Sequence, residues 1–297
     1  MTHADATIAF IGFGEAGQAF AEGCCGDAPP ACARAYDIKT DDPATRPAKL
    51  SDYAAYNVRG CDSLAEALDG MHLILSLVTA DEAPRAAHAA AECIAPGTVF
   101  CDMNSIAPDT KRANAALIEA AGGHYVDVAV MSPVRPALNN VPLLLSGSSA
   151  PEALALLKAC GFGKLRVVEG DVGSASAIKM IRSVMVKGLE ALTTECVLAA
   201  RRAGVYDEVI ASLNANWPGT DWGEKADYNL DRMMIHGLRR AAEMEEVVKT
   251  LEALGTGATL TSGTVKRQRA IGLMHINEPP CGLDQKIDLI LQRIASE

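Results

Sequence analysis

The apolar rhythm of the chain changes once. From Thr7 to about Glu169, short aliphatic and β-branched runs alternate with Ala-rich segments of helical length, the pattern of βαβ units around a parallel sheet. The predicted strands are Thr7–Ile11, Ala33–Asp37, His72–Val78, Thr98–Asp102, His124–Val130, Leu143–Ser146 and Leu165–Val168. Ser63-Leu64-Ala65-Glu66 and Thr79-Ala80-Asp81-Glu82 both read as capping boxes, and Pro96-Gly97 and Gly122-Gly123 as helix ends. After Gly170 the alternation stops. Helices are predicted over about Ser174–Ala203 and Asp231–Leu254, around Thr264–Ala270, and over Asp284–Ala295. The stretch Ser212–Asn229, which holds Trp217, Pro218, Gly219, Trp222 and Gly223, reads as irregular. The expectation is an α/β domain with a mostly parallel sheet over residues 1–170 and an all-α domain over 171–297, packed continuously through the Ser174–Ala203 helix.

The first apolar run, Ile8-Ala9-Phe10-Ile11, leads into Gly12-Phe13-Gly14-Glu15-Ala16-Gly17 and then an Ala-rich helix. Gly12 permits a tight turn, Gly14 lets the backbone approach a pyrophosphate at the helix N-terminus, and Gly17 allows close helix–strand packing. An ordinary strand–turn–helix accounts for the glycines but not for Asp37, which ends the next strand 20 residues after Gly17, where an adenosine ribose is held in dinucleotide-binding folds. The motif makes the first domain Rossmann-type. Because a carboxylate at Asp37 repels a 2′-phosphate, NAD is favoured as the cofactor, with NADP as the alternative if Lys39 or Arg46 offsets that charge.

Composition narrows the partners. The 297 residues carry a net charge of −10, which disfavours nucleic acid and anionic membrane surfaces. No segment approaches the ~18 apolar residues of a membrane span, and Met1-Thr2-His3-Ala4-Asp5 has no basic n-region of a signal peptide. The nine cysteines, Cys24, Cys25, Cys32, Cys61, Cys93, Cys101, Cys160, Cys196 and Cys281, form no C-x-x-C pair, so no metal site is expected and free thiols in a cytoplasmic protein fit best. The helical half has apolar faces too long for one domain to cover, which predicts a homodimer.

Four motifs in order resemble the β-hydroxyacid dehydrogenase family, which includes 3-hydroxyisobutyrate and 6-phosphogluconate dehydrogenases. They are the glycine loop, Asp102-Met103-Asn104-Ser105, Asp127-Val128-Ala129-Val130-Met131-Ser132-Pro133, and Gly173-Ser174-Ala175-Ser176-Ala177-Ile178-Lys179. The run Arg239-Arg240-Ala241-Ala242-Glu243-Met244-Glu245 is similar to a branch whose helical C-terminal domain has no settled substrate. The resemblance implies a small-molecule hydroxy acid or related alcohol as substrate, hydride transfer to a nicotinamide, and Lys179 as general acid/base, a role open to a partly desolvated lysine.

Asn104 and Ser105 follow a strand at the sheet's carboxyl edge, where a nicotinamide lies, and Ser76, Val78 and Thr79 sit at the corresponding edge of the His72–Val78 strand. The resemblance places Met131, Ser132 and Pro133 on the substrate loop, Ser183 where family members carry asparagine, and His236 near the position of a second lysine. Two departures matter. The loop positions commonly read Ser-Gly-Gly, and Pro133 lacks the N–H that would grip a carboxylate. The glutamate seven residues after the lysine in phosphogluconate-type enzymes is here Val186. At about 100° per residue, Arg182, Ser183, Val186 and Glu190 share the Lys179 face, whereas Lys187 lies about 80° away and suggests itself as an internal control. Trp217 and Trp222 are candidates to line a pocket or to anchor a loop. An imine reductase-like enzyme and a non-catalytic NAD(H)-binding sensor are the alternatives; Lys179 argues against the first, whose members carry Asp or Tyr there.

Overall fold

The computed structural model describes residues 7–25 and 33–295. The N-terminal segment Met1–Asp5 and Cys32 lie outside the described residues, as does the side chain of Cys25. Two compact units form, Met1–Lys179 and Met180–Glu297.

The first unit follows the order β1 (Ile8–Ile11), α1 (Glu15–Cys25), β2 (Ala33–Tyr36), a 3-10 turn (Ile38–Thr40), α2 (Arg46–Ala55), β3 (Arg59–Gly60), α3 (Leu64–Leu68) and β4 (Leu73–Ser76). It continues through α4 (Ala83–Ala91), β5 (Val99–Asp102), α5 (Pro108–Ala120), β6 (His124–Val130), β7 (Leu143–Ser146), α6 (Ala150–Ala159) and β8 (Leu165–Val167). The eight strands lie in the order β3-β2-β1-β4-β5-β6-β7-β8. All neighbours are parallel except β6 and β7. Strands β1, β4 and β5 are buried along their whole length, because helices cover both faces of a parallel sheet. Alternation sends neighbours to opposite sides: Leu75 packs with Phe10, Phe13, Phe20 and Val128, while Ile74 packs with Ile11, Phe100, Ile118 and Tyr125.

Three local readings are corrected. Ser63 caps α3 as expected, accepting from the Glu66 N–H at 3.2 Å. Thr79, however, caps nothing: α4 begins at Ala83, and Glu82 at its N-cap makes no side-chain cap. The Thr79 hydroxyl bonds Asp81 instead, which holds that carboxyl below its ordinary range. Pro96-Gly97 lies beyond the end of α4 at Ala91. The strand β3 has no counterpart among the predicted runs, since two residues, Arg59-Gly60, carry no period.

Helix α7 (Ser174–Ala203) begins in the first unit and continues into the second, with the bounds the sequence predicts. The second unit adds α8 (Tyr206–Asn216), α9 (Trp222–Ala253), α10 (Thr259–Gly272) and α11 (Leu283–Ala295). The stretch Ser212–Asn229 is therefore mostly helical, broken only at residues 217–221. Asp221 starts α9 by accepting from the Glu224 N–H at 3.0 Å, and Asn214 accepts from the Trp222 N–H at 2.9 Å. The core of this unit centres on Leu230, Met233, Met234, Ile271, Ile287 and Ile290, all buried. Where α9 and α10 meet, the backbones touch: a Cβ on Gly237 would lie 2.6 Å from the Gln268 carbonyl oxygen, and one on Gly272 2.5 Å from the Leu238 nitrogen. No helix among the described residues is long and apolar enough to cross a membrane.

Candidate active site

The turn between β1 and α1 is built by its glycines. Gly12 sits at φ +82°, and a Cβ there would meet the Leu77 carbonyl at 2.7 Å and Val78 Cγ1 at 2.9 Å, so this strand end lies directly against that of β4. At Gly14 a Cβ would find nothing within 4 Å, leaving bare backbone at the first turn of α1. Gly17 would press the Gly12 carbonyl at 2.9 Å. Phe13 is buried, its ring 5.1 Å from that of Tyr53, while Glu15 is exposed and Ala16 half-buried. Open backbone over helical N–H groups is an anion cradle, and these residues fit a dinucleotide pyrophosphate.

Asp37 has a second duty that the sequence does not announce. It is only 9% exposed. One carboxylate oxygen accepts from the Phe13 N–H at 2.8 Å and the other from the Lys39 N–H at 3.0 Å, so the residue clamps the glycine turn and caps the 3-10 turn. Lys49 reinforces this corner, donating to the Phe13 carbonyl at 2.8 Å and to Asp52 at 2.7 Å. Burial, followed by the Asp37 charge, pushes the neighbouring Tyr53 phenol up. Tyr36 is raised to about 12 by burial and by its bond to Asp41. Lys39 is exposed, whereas Arg46 is occupied by the Thr40 carbonyl and by Asp62.

At the ends of β4 and β5, Asn104 ties the edge together. Its Oδ1 accepts from the Val78 N–H at 2.7 Å, and its Nδ2 donates to Ser76 Oγ at 3.0 Å and to Asp102 Oδ1 at 2.8 Å. Ser76 and Asn104 are buried and Thr79 is exposed. The next residue, Ser105, is half-buried, and Lys179 Nζ donates to its hydroxyl at 2.6 Å. The first unit therefore gathers Gly12–Gly17, Asp37, Val78, Asn104, Ser105 and Lys179 about the carboxyl ends of its parallel strands, where ligands bind in this class of sheet.

Beneath that edge runs a charged network that the motifs touch but do not reveal. Asp102, Lys111 and Asp127 are each 0% exposed. Lys111 Nζ donates to the Asp102 carbonyl at 2.5 Å and to its Oδ1 at 2.9 Å, and stands 3.5 Å from Asp127 Oδ1. Asp102 Oδ2 accepts from Tyr125 at 2.7 Å and Asn114 at 3.2 Å; burial, then the Asp102 charge, drives the Tyr125 phenol well up. Asp127 accepts from the N–H groups of Gly173 (3.1 Å) and Ser176 (2.9 Å) and from the hydroxyls of Ser146 (3.1 Å) and Ser176 (2.5 Å). The signal for Lys111 was present: it shares the inward face of α5 with Ala115 and Ile118.

The remaining candidates are spread out. Met131 is half-buried after β6, while Ser132 and Pro133 are exposed. Ser183 and His236 belong to the second unit, Ser183 buried and His236 half-buried. Lys187 is unsuitable as a control: it is 7% exposed, pairs with Glu243 at 2.9 Å and donates to Ser183 at 3.4 Å. Glu190 is held by Arg240 and Gln268. Trp217 and Trp222 pack edge to face with ring centres 5.6 Å apart, and Trp217 is exposed.

Residues 7–168 match the model of the NAD binding domain of 6-phosphogluconate dehydrogenase, and residues 200–271 match a domain of unknown function. A conserved hypothetical protein from Sinorhizobium meliloti is similar in structure, with 37% identity, 97% of this chain and 96% of that one covered, and a TM-score of 0.76. A Mycobacterium tuberculosis 3-hydroxyisobutyrate dehydrogenase, solved with L-serine, shares the fold at 20% identity, covering 99% of each chain with a TM-score of 0.75. An uncharacterized 28.5 kDa protein of Methanothermus fervidus is 28% identical over 152 residues, 51% of this chain and 57% of that protein's length. With the glycine turn, the eight-stranded sheet and over half the chain matched in this way, the protein belongs to the β-hydroxyacid dehydrogenase family and carries its NAD(P)-binding domain.

Proposed function

We propose that the protein is an NAD-dependent oxidoreductase that moves hydride between the cofactor and a β-hydroxy acid or related alcohol, with Lys179 as general acid/base. The observation that carries this reading is the 2.6 Å contact between Lys179 Nζ and Ser105 Oγ at the carboxyl edge of the sheet. Bound nicotinamide supplies the hydride acceptor. Lys179 removes the substrate hydroxyl proton as hydride departs, and returns it in the reverse direction. A hydroxyl partner suits that task, because Ser105 can accept from the ammonium and donate to the amine, so the nitrogen stays in place as its charge changes.

The glycine turn and α1 hold the pyrophosphate. Asp37 keeps lone pairs for the adenosine ribose hydroxyls while its protein bonds fix the turn, and its charge disfavours a 2′-phosphate; NAD is thus preferred over NADP. Ser132, Ser183 and His236 are the polar candidates for the substrate, with Met131 and Pro133 shaping the loop. The working form is a homodimer. The M. tuberculosis enzyme with L-serine suggests short hydroxy acids and their amino analogues as the first compounds to try.

The test is a spectrophotometric screen of the purified protein for NADH formation against hydroxy acids and alcohols, followed by Lys179→Ala. The variant should bind NADH within a few-fold of wild type and lose roughly 10²–10⁴ in kcat, with the exposed Lys158→Ala as control. Full turnover by Lys179→Ala would overturn the mechanism. Tight NAD(H) binding with no turnover on any substrate, amines and imines included, would make the protein a sensor.

A further inference from the structure

We propose that Asp127 and Lys111 are positioning residues whose function is to set the Lys179–Ser105 contact; this rests on the reading of Lys179 as acid/base. Both halves of that contact hang from the buried network. On one side, Asp102 Oδ1 accepts from the Asn104 N–H at 3.0 Å and from its side-chain amide, which fixes the turn that delivers Ser105. On the other, Asp127 binds the first turn of α7 through the Gly173 and Ser176 N–H groups and the Ser176 hydroxyl. Ser176 precedes Lys179 by three residues, so the two share a helix face. Lys111 joins the two carboxylates.

Two features argue that this arrangement serves placement rather than stability. Burying a lysine with two aspartates costs desolvation that an apolar trio of similar volume would not incur, so such a network is weak evidence for stabilisation. The cap is also non-local. Helices are ordinarily capped by the residue at their own N-terminus, but α7 is capped from β6, 46 and 49 residues away. Ser146 adds a second brace from β7, donating to Asp127 and accepting from the Ala175 N–H at 3.0 Å. The start of α7 is pressed against α5, the helix that carries Lys111: at Gly173 (φ +102°) a Cβ would lie 2.6 Å from Arg112 and 3.0 Å from Pro108. The first turn of α7 is thereby registered to the same strand ends that carry Asn104 and Ser105.

The decisive variants are Ser176→Ala, which removes one hydroxyl from the cap, its rescue Ser176→Thr, and Lys111→Met, which removes the joining charge but keeps the stem. Each is compared with wild type for kcat, KM, NADH affinity and melting temperature. The acetylation rate of Lys179 by acetic anhydride is followed by mass spectrometry with Lys158 as reference, because it reports on the amine without turnover. Ser176→Ala should lower kcat by about 10-fold, within the loss expected for a sub-ångström displacement of a reacting group. KM and NADH affinity should stay within about twofold, the Lys179 acetylation rate should change several-fold, and Ser176→Thr should restore both. Lys111→Met should move the same two readouts further; if it does not fold, the Ser176 pair decides.

A fall in melting temperature with kcat and Lys179 acetylation unchanged would overturn the proposal. A wild type with no turnover whose Lys179 acetylation still shifts in Ser176→Ala would uphold the positioning and sink the dehydrogenase reading. An inactive Lys179→Ala beside a fully active Ser176→Ala would do the reverse.

Discussion

Each unit of this protein buries an ion cluster, and the two clusters are used differently. In the first, Asp102 and Asp127 hold backbone N–H groups at the turn after β5 and at the start of α7, and Lys111 joins them. In the second, Glu190 receives Arg240 through two nitrogens and Gln268 at 2.8 Å, so one carboxylate links α7, α9 and α10 side chain to side chain. Lys286 works similarly, tying α11 to Asp227 and Asp231 of α9 at 2.7 and 2.8 Å. Buried charge that binds backbone N–H groups fixes a local turn of the chain. Buried charge that binds other side chains chooses which helix faces meet.

The comparison can be broken most sharply at Arg240. Arg240→Ala should destabilise the protein by about 3–5 kcal/mol, because Glu190 is left buried without its cation. The double replacement Glu190→Leu with Arg240→Met should recover part of that in a denaturant titration, the remaining loss being the buried Gln268 amide left without its acceptor. If the helical cluster were instead part of the catalytic apparatus, the double variant would fold well and yet lose turnover, which is the outcome expected only of the first cluster.

A smaller loss is expected at the glycine turn. Gly12→Ala forces a side chain into a left-handed conformation against the Leu77 carbonyl, a strain of order 1–3 kcal/mol, and calorimetry should show weaker binding of NADH as well as a lower melting temperature. Asp37→Ala should narrow the ratio of kcat/KM for NAD over NADP. It should also raise KM for both, since the Phe13 N–H then lacks its acceptor, a penalty of roughly 1–3 kcal/mol. A wild-type preference for NADP would show that Lys39 sets the selectivity.

The mildest contrast concerns thiols. In the first unit burial pushes Cys61, Cys93 and Cys101 up, whereas Cys281 of the second is exposed. Iodoacetamide should therefore modify Cys281 before Cys61, Cys93 and Cys101, which follow only as pH rises or the fold opens, as peptide mapping would record. Equal rates at neutral pH would contradict the shielding.

Seven of the eight strands and both ends of α7 were legible because apolar runs bounded by Gly, Pro and Asp carry a period. What escaped reading lacked one. The pair Arg59-Gly60 is too short to alternate. The Ser212–Asn229 segment looked broken because Pro218 and Gly219 outweigh the start signal of Asp221 and Glu224. Thr79 had the spacing of a cap, but α4 starts only at Ala83 and the Glu82 N–H goes to the Thr79 carbonyl rather than its hydroxyl, so the spacing marked a turn ahead of the helix. The site was half visible. Glycines and strand ends are local signals, while the support of Asp127 for α7 joins residues 46 to 49 positions apart, a relation only the folded chain creates. Asp37 was legible as the carboxylate that ends the second strand, yet its hold on Phe13 depends on β1 and β2 lying side by side.

The touching backbones of α9 and α10 have a consequence for how this chain can vary. At Gly237 and Gly272 every one of the nineteen alternatives places an atom inside a neighbouring main chain, and no rotamer change relieves a clash that begins at Cβ. Neighbouring outward positions such as Leu238 and Arg239 are exposed and carry no such restriction. A saturation library over this segment, sorted for folded protein, should therefore return two blank columns within an otherwise permissive helical hairpin, and would locate the crossing without any coordinates.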